Sequence, residues 1–355
     1  MIRCGKILLY VSVALILLWA LPWAFNFVNV QQVQAPFILY SGVIDDFASI
    51  ENKGKVLIRK DYKGNTYSEK EFDSILPMFY YRQLISDNRL PKEIKGVKLD
   101  PRIVQTENFM FRNSPEDVNR PTIGLYTLLE SSSGRVDLEM PDDVFRITDE
   151  RIEFIDIASN SVNEKKSELF TDAMLKKGFV FPAKVVAGNP TTHKDYDEGF
   201  ILVDNANNLF HFKRVVGRPF VRKIDKDPNI AINYAVVNEF RNHKHLAFLT
   251  DENNKFYVLL SKSYELIQLP VEKFDPTSQA ITIIGNVLDW TIKIADGYST
   301  KFYAVDANNY SLLKQTEYFY EMGSFTDQVQ EFMSSWELTF TAPTDKWVKA
   351  RFGSN

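Results

Sequence analysis

A short apolar run ending in Asp, then a polar turn and a second apolar or aromatic run, recurs along this chain. It reads Phe200-Ile-Leu-Val-Asp204-Asn-Ala-Asn-Asn-Leu-Phe210, Phe248-Leu-Thr-Asp251-Glu-Asn-Asn-Lys-Phe-Tyr257 and Phe302-Tyr-Ala-Val-Asp306-Ala-Asn-Asn-Tyr310. A fainter copy is Phe145-Arg-Ile-Thr-Asp149-Glu-Arg-Ile-Glu-Phe154, and an earlier one is Val56-Leu-Ile-Arg-Lys-Asp61-Tyr-Lys-Gly64-Asn65-Thr-Tyr67. Asn, Asp and Gly tolerate the left-handed backbone of tight turns, so each phrase predicts a β-hairpin. Hairpins at near-regular spacing restrict the chain to a propeller or a similar all-β array.

The aspartates stand 55 positions apart from Asp149 to Asp204, 47 to Asp251 and 55 to Asp306. These intervals suit one four-stranded blade of roughly 40 to 50 residues with loose loops. The 88 positions from Asp61 to Asp149 are explained by a helical insertion over about 68–120. Ser68-Glu-Lys-Glu71 has the capping-box spacing, and Phe72, Ile75, Leu76, Phe79 and Leu84 follow helical periodicity. Pro77 should break that helix into two pieces. Further strands are expected at 124–129, 179–186, 264–269, 281–284 and 290–294, and helices at 166–175 and 326–333. The segment Trp336 to Thr341 is expected to close the ring by pairing with Phe37 to Tyr40. The predicted fold is mainly β: a propeller-like array of about five hairpin-containing blades with a small helical insertion, preceded by one transmembrane helix. A β-sandwich plus a second domain is the alternative that produces similar hairpins.

Ile7 to Val28 runs without a charge, and as a helix it would extend roughly 33 Å, enough to cross a bilayer core of about 30 Å. Arg3 and Lys6 precede it and the next charges are Asp45 and Asp46, so the positive-inside rule puts the N-terminus in the cytoplasm. The implied organisation is a cytoplasmic 1–6, an anchor over 7–28, a polar tether over 29–36 and an extracytoplasmic domain over 37–355. A cleaved signal peptide is the competing reading, with Ala35 as the small residue at a cut. Cys4, the only cysteine, lies before the apolar run. The exported part therefore has neither a disulfide nor a Cys-ligated metal site. Net charge is −4, and without a basic excess nucleic acid is not an expected partner.

The Asp-Asn turns are the first candidates for chemistry. Asp204, Asn207, Asp251, Asn253, Asp306 and Asn308 offer hard oxygens of the kind calcium takes, but the EF-hand spacing and its Glu at position twelve are missing. A tight turn needs the same residues. His243 and His245 would point the same way in a strand and could hold a metal with Asp195 or Glu198, although the segment reads better as a polar loop. Asp195, Asp197 and Glu198 form the densest acidic cluster, which would serve glycoside cleavage only across a cleft. No nucleophile elbow, phosphate loop or His-Glu-x-x-His is present. Phe79-Tyr-Tyr81 and Tyr318-Phe-Tyr320 read as core or as a binding platform for a sugar or peptide. No cofactor is implied.

Leu76-Pro-Met-Phe-Tyr-Tyr-Arg-Gln-Leu-Ile-Ser-Asp-Asn-Arg-Leu-Pro91 and Lys301-Phe-Tyr-Ala-Val-Asp-Ala-Asn-Asn-Tyr-Ser-Leu-Leu-Lys314 resemble an uncharacterised bacterial family of about this length. Its members have an N-terminal membrane segment and a domain of unknown function. The resemblance implies an association with ABC-type transport genes in anaerobic gut-type bacteria and supplies no catalytic residues. The expectation is a single-pass protein of the bacterial inner membrane, with a periplasmic interaction domain that serves a transporter or envelope complex. A ligand-sensing or carbohydrate-binding module is the alternative, and an envelope hydrolase at the acidic cluster is the third.

Overall fold

The runs ending in Asp become paired strands because their β-branched and aromatic side chains alternate between two buried faces. We describe residues 2–29, 36–53, 56–120, 122–132, 137–296, 299–320, 329, 332–333, 338–341 and 349–352 of a computed structural model. Two compact units are distinguished, one of 37–296 with 301–317 and one of 1–36, 297–300 and 318–355.

In the larger unit, the first sheet is the meander β1 (Phe37–Ser41), β2 (Asp46–Lys53) and β3 (Val56–Asp61). Short elements follow: α2 (Glu69–Ile75), α3 (Tyr81–Ser86), the hairpin β4 (Glu93–Ile94) and β5 (Val97–Lys98), and α4 (Pro101–Glu107). Next come β6 (Phe109–Asn113) and α5 (Pro115–Val118). The second sheet holds β7 (Asp143–Ile147), β8 (Ile152–Asp156) and β9 (Ser161–Val162), followed by α6 (Glu164–Lys176). The third is β10 (Ala183–Gly188), β11 (Phe200–Asp204), β12 (Leu209–Val215) and β13 (Arg218–Ile224). The fourth is β14 (Ile232–Val237), β15 (His245–Asp251), β16 (Phe256–Leu260) and β17 (Leu266–Gln268). The fifth is β18 (Ala280–Gly285), β19 (Asp289–Ala295), β20 (Ser299–Asp306) and β21 (Leu312–Phe319), with β6 added beside β18.

Period-2 alternation stacks the middle sheets face to face. On β11, Phe200 and Leu202 join Phe145, Phe154, Phe170 and Phe212 in one core, while Ile201 and Val203 join Ala235, Ala247 and Leu249 in the next. On β15, Phe248 turns the other way and packs with Trp290, Ile292 and Tyr303 of the fifth sheet. The first sheet meets the fifth through the Tyr40 backbone N–H, which donates to Thr291 Oγ1 (2.9 Å), and through Lys314 Nζ to Asp46 Oδ1 (2.6 Å). The result is a mainly β, propeller-like succession of five sheets, and none of the described sheets closes into a barrel.

Several expectations change in detail. The capping box forms, with Ser68 N–H donating to Glu71 Oε2 (2.9 Å), and the helix ends before Pro77. The insertion is only partly helical, because β6 inside it pairs with β18 from Phe109↔Gly285 to Asn113↔Ile281. Residues 124–129 contribute a single bridge, Tyr126↔Phe145, rather than a strand. Most of 326–333 lies outside the described residues, as does Trp336. In the smaller unit β22 (Leu338–Thr341) pairs with β23 (Lys349–Phe352), so the closing strand expected against Phe37 to Tyr40 is instead half of a terminal hairpin. That unit also holds α1 (Ile2–Asn29), whose Gly5–Phe25 stretch has a mean hydropathy of 2.2 and is long and apolar enough to cross a membrane.

Candidate functional site

Four segments far apart in sequence meet at one pocket of about 250 Å³: the β1–β2 turn, the α2–α3 connection, the start of β6 and the β18–β19 turn. Its apolar walls include Leu39, Ile75, Leu76, Phe109 and Ile284, and Val43, Phe79 and Met110 stand exposed at its rim. Gly285 makes the floor possible, since a Cβ there would lie 2.3 Å from the Phe109 ring. Gly42 plays the same part opposite, where a Cβ would come within 2.7 Å of Asp289 Oδ2.

Asp289 is the chemical centre of this pocket. It begins β19 between Leu288 and Trp290 and is 4% exposed. The turn fixes it: Asn286 Oδ1 accepts from Leu288 N–H (2.7 Å) and Asp289 N–H (3.1 Å), and Asn286 Nδ2 donates to Asp289 Oδ1 (3.0 Å). Burial pushes its carboxyl up to about 7 against the Asn286 hydrogen bond, with Asp306 and Asp45 adding to the rise and Lys95 opposing it. Tyr40 Oη, also in the wall, donates to Asp45 Oδ1 (3.2 Å), and burial followed by Asp45 raises its phenol. Lys95 pairs with Asp45 and holds that carboxyl below its ordinary range. On the same walls Asn108 Nδ2 donates to Met78 O (2.6 Å), and Asn108 Oδ1 is buried with no partner among the described residues. An apolar pocket with a few convergent polar groups and a perturbed carboxyl is the usual form of a small-ligand site.

The residues singled out in the sequence lie elsewhere. Asp204, Asp251 and Asp306 end strands of three separate hairpins, and their oxygens serve the turns themselves. Asp204 accepts from Asn208 N–H (2.8 Å) and Asn208 Nδ2 (2.9 Å), and Asn207 takes a left-handed backbone with its Oδ1 accepting from Lys184 Nζ (2.9 Å). Asp251 accepts from Asn253 N–H (2.9 Å), Lys255 N–H (2.8 Å) and Tyr257 Oη (3.0 Å). Asp306 accepts from Asn308 N–H (2.8 Å) and Asn309 N–H (3.1 Å). Asp251→Ala strips three hydrogen bonds from one turn and should cost about 2 kcal/mol of stability in chemical denaturation. A loss below roughly 0.5 kcal/mol would contradict this role for the carboxylate.

His243 sits in a turn with positive φ, its ring 4.1 Å from that of Tyr196, and His245 is buried with Nε2 3.0 Å from Tyr310 Oη. Their rings therefore serve different neighbours, and the same-face pair expected of a strand does not form. Among the described residues no three of His, Cys, Asp and Glu converge as a metal site requires. Asp195 is exposed, whereas Asp197 is buried and joins Lys194 and Glu239 in a network. Lys194 Nζ donates to Asp197 Oδ1 (2.6 Å) and to Glu239 Oε1, Gly199 N–H to Asp197 Oδ2 (2.9 Å), and Asn189 Nδ2 to Glu239 Oε2 (2.8 Å). Glu198 N–H donates to Glu239 Oε1 (2.9 Å), and the Glu198 carboxylate meets Lys213 Nζ at 2.7 Å. All four oxygens of the buried pair are committed, so the cluster ties the β10–β11 loop of the third sheet to the β14–β15 loop of the fourth. Phe79 lies at the pocket rim, while Tyr80 and Tyr81 pack inward.

Nothing in the sequence pattern marked Asp289, because a carboxylate heading an apolar strand reads as an ordinary strand start. Gly42 and Gly285 were the available signals, each a glycine beside a predicted strand where a close approach is common.

Among solved structures the chain is similar to the β-propeller domain of Cps50 (Swd1) from Myceliophteria thermophila, with 10% identity and a TM-score of 0.28. The match covers 56% of this chain, and the chain spans 57% of that domain's length. No curated protein matches it. The domain of unknown function DUF4857 matches residues 37–305, which takes in the first four sheets, the fifth as far as Val305 and every wall of the pocket, and the chain belongs to that family.

Proposed function

We propose that this protein is a membrane-anchored binding module: α1 fixes it to the bilayer, and the five-sheet body presents the Asp289 pocket to the extracytoplasmic side. The observation that carries this reading is the pocket itself, an apolar cavity with exposed hydrophobic rim residues and one buried carboxyl on a rigid frame. The apolar length of α1 supports the anchor, and Arg3 and Lys6 before it support a cytoplasmic N-terminus and a periplasmic body at the bacterial inner membrane. Such a module would serve a membrane transporter, ABC-type by the family resemblance, or an envelope complex, by docking a partner on its loops. The buried carboxyl among the apolar walls favours a second reading, in which the same module senses a ligand.

Leu15→Arg with Leu17→Arg places two cations in the middle of the apolar helix, each costing about 2.5–3.5 kcal/mol at a bilayer centre. The double variant is expected in the soluble fraction and the wild type in the membrane fraction, and identical fractionation would remove the anchor. Mild-detergent purification of the full chain from its native host separates the two readings. A stoichiometric integral membrane subunit is expected from the scaffold, and a solitary protein would transfer the weight to ligand sensing.

A further inference from the structure

We infer that the pocket takes a small primary amine, its ammonium set against Asp289 and its apolar body between Leu39, Leu76 and Ile284. This rests on the reading of the pocket as a binding site.

Among the described residues, the side-chain polar atom left open in the walls is an acceptor. Among the described residues, hydrogen bonds to the Asp289 carboxyl come from Asn286 Nδ2 onto Oδ1. Oδ2 faces Gly42, which has no side chain to cover it. The hydroxyls are already used: Ser41 Oγ donates to Ile75 O, and Tyr40 Oη to Asp45. A ligand that fits must therefore donate, and an ammonium has three donors and no acceptor.

The charges point the same way. Asp306 and Asp45 both raise the Asp289 carboxyl through space, and Lys95, which opposes them, is already paired with Asp45. The local field is negative, which repels a carboxylate or phosphate and attracts a cation. At about 250 Å³ the cavity is below the roughly 300–1,000 Å³ of drug-sized sites, so the body is one ring or a short alkyl chain.

The test uses the full-length protein in detergent micelles with 2-phenylethylamine, 2-phenylethanol and 3-phenylpropionate as probes, titrated by calorimetry at pH 7.5. The amine is expected to bind at least tenfold more tightly than the alcohol, and the acid not at all. Asp289→Asn should bring the affinity for the amine down to that for the alcohol. Gly42→Ala keeps the charge but crowds Oδ2, and it should weaken the amine at least tenfold. Near-ultraviolet circular dichroism matching the wild type confirms that both variants fold. If the alcohol binds as tightly as the amine, the amine assignment falls and the pocket reading stands. If no probe binds, both fall.

Discussion

Lys194→Met is expected to destabilise the protein by about 3–5 kcal/mol at pH 8, the usual cost of removing one partner from a buried ionic network. Lys194 is the cation that holds Asp197 and Glu239 together, and all three side chains are nearly sealed from solvent. Burial already raises both carboxyls above their ordinary values, with Lys194 pulling each back down. Without the ammonium the two negative charges face each other in a low dielectric, so one must bind a proton or the loop must open. A carboxyl whose folded pKa is raised binds more protons in the native state, so its contribution weakens as pH rises. The loss in the variant should therefore be larger at pH 8 than at pH 5. Asp197→Asn in the same background should recover part of it, because one charge then needs no partner. Denaturant unfolding of the full chain at the two pH values measures this. A loss under about 1 kcal/mol at pH 8 would show that water reaches the pair.

Asp289→Asn is expected to do the opposite and stabilise the protein at alkaline pH. The ordinary aspartate value is 3.8 and burial lifts Asp289 to about 7. Between those values the native state keeps a proton that the unfolded chain has released, so stability falls as pH climbs from 4 to 7 and stays reduced above. The full difference is at most about 4 kcal/mol, so at pH 8 the Asn variant gains up to that much, and near pH 4 the two proteins should agree. His211 and His245 carry the reverse trend. Burial lowers each from 6.5 to about 4, so stability is lost as pH falls through that window. Both histidines are present in both proteins, and the difference between the two pH profiles isolates Asp289. Parallel profiles would mean that the carboxyl is solvated in the native state. A buried carboxyl that costs stability is expected where binding needs it, which is the role proposed here for Asp289.

The relation between sequence and structure is uneven for physical reasons. The Asp-Asn turns of β11–β12 and β15–β16 were readable because a tight turn depends on a handful of neighbouring residues. The capping box at Ser68 is likewise contained within four positions. The strand Phe109–Asn113 falls inside the expected insertion, since its five residues stand between α4 and Pro115 and its partner among the described residues is the distant β18. The terminal hairpin is another such case, because strand pairing depends on which edge is free in space.

By itself the sequence determined the local geometry: where the chain turns, which faces of the strands are apolar, and that α1 is long enough to span a bilayer. Those properties follow from interactions within a few residues. The tertiary structure alone decided that Gly42, Asn108 and Asp289 share one cavity. It also decided that Asp197 and Glu239 share one lysine. The desolvation and field that give a carboxyl its character come from atoms far along the chain, and no pattern of neighbours encodes them.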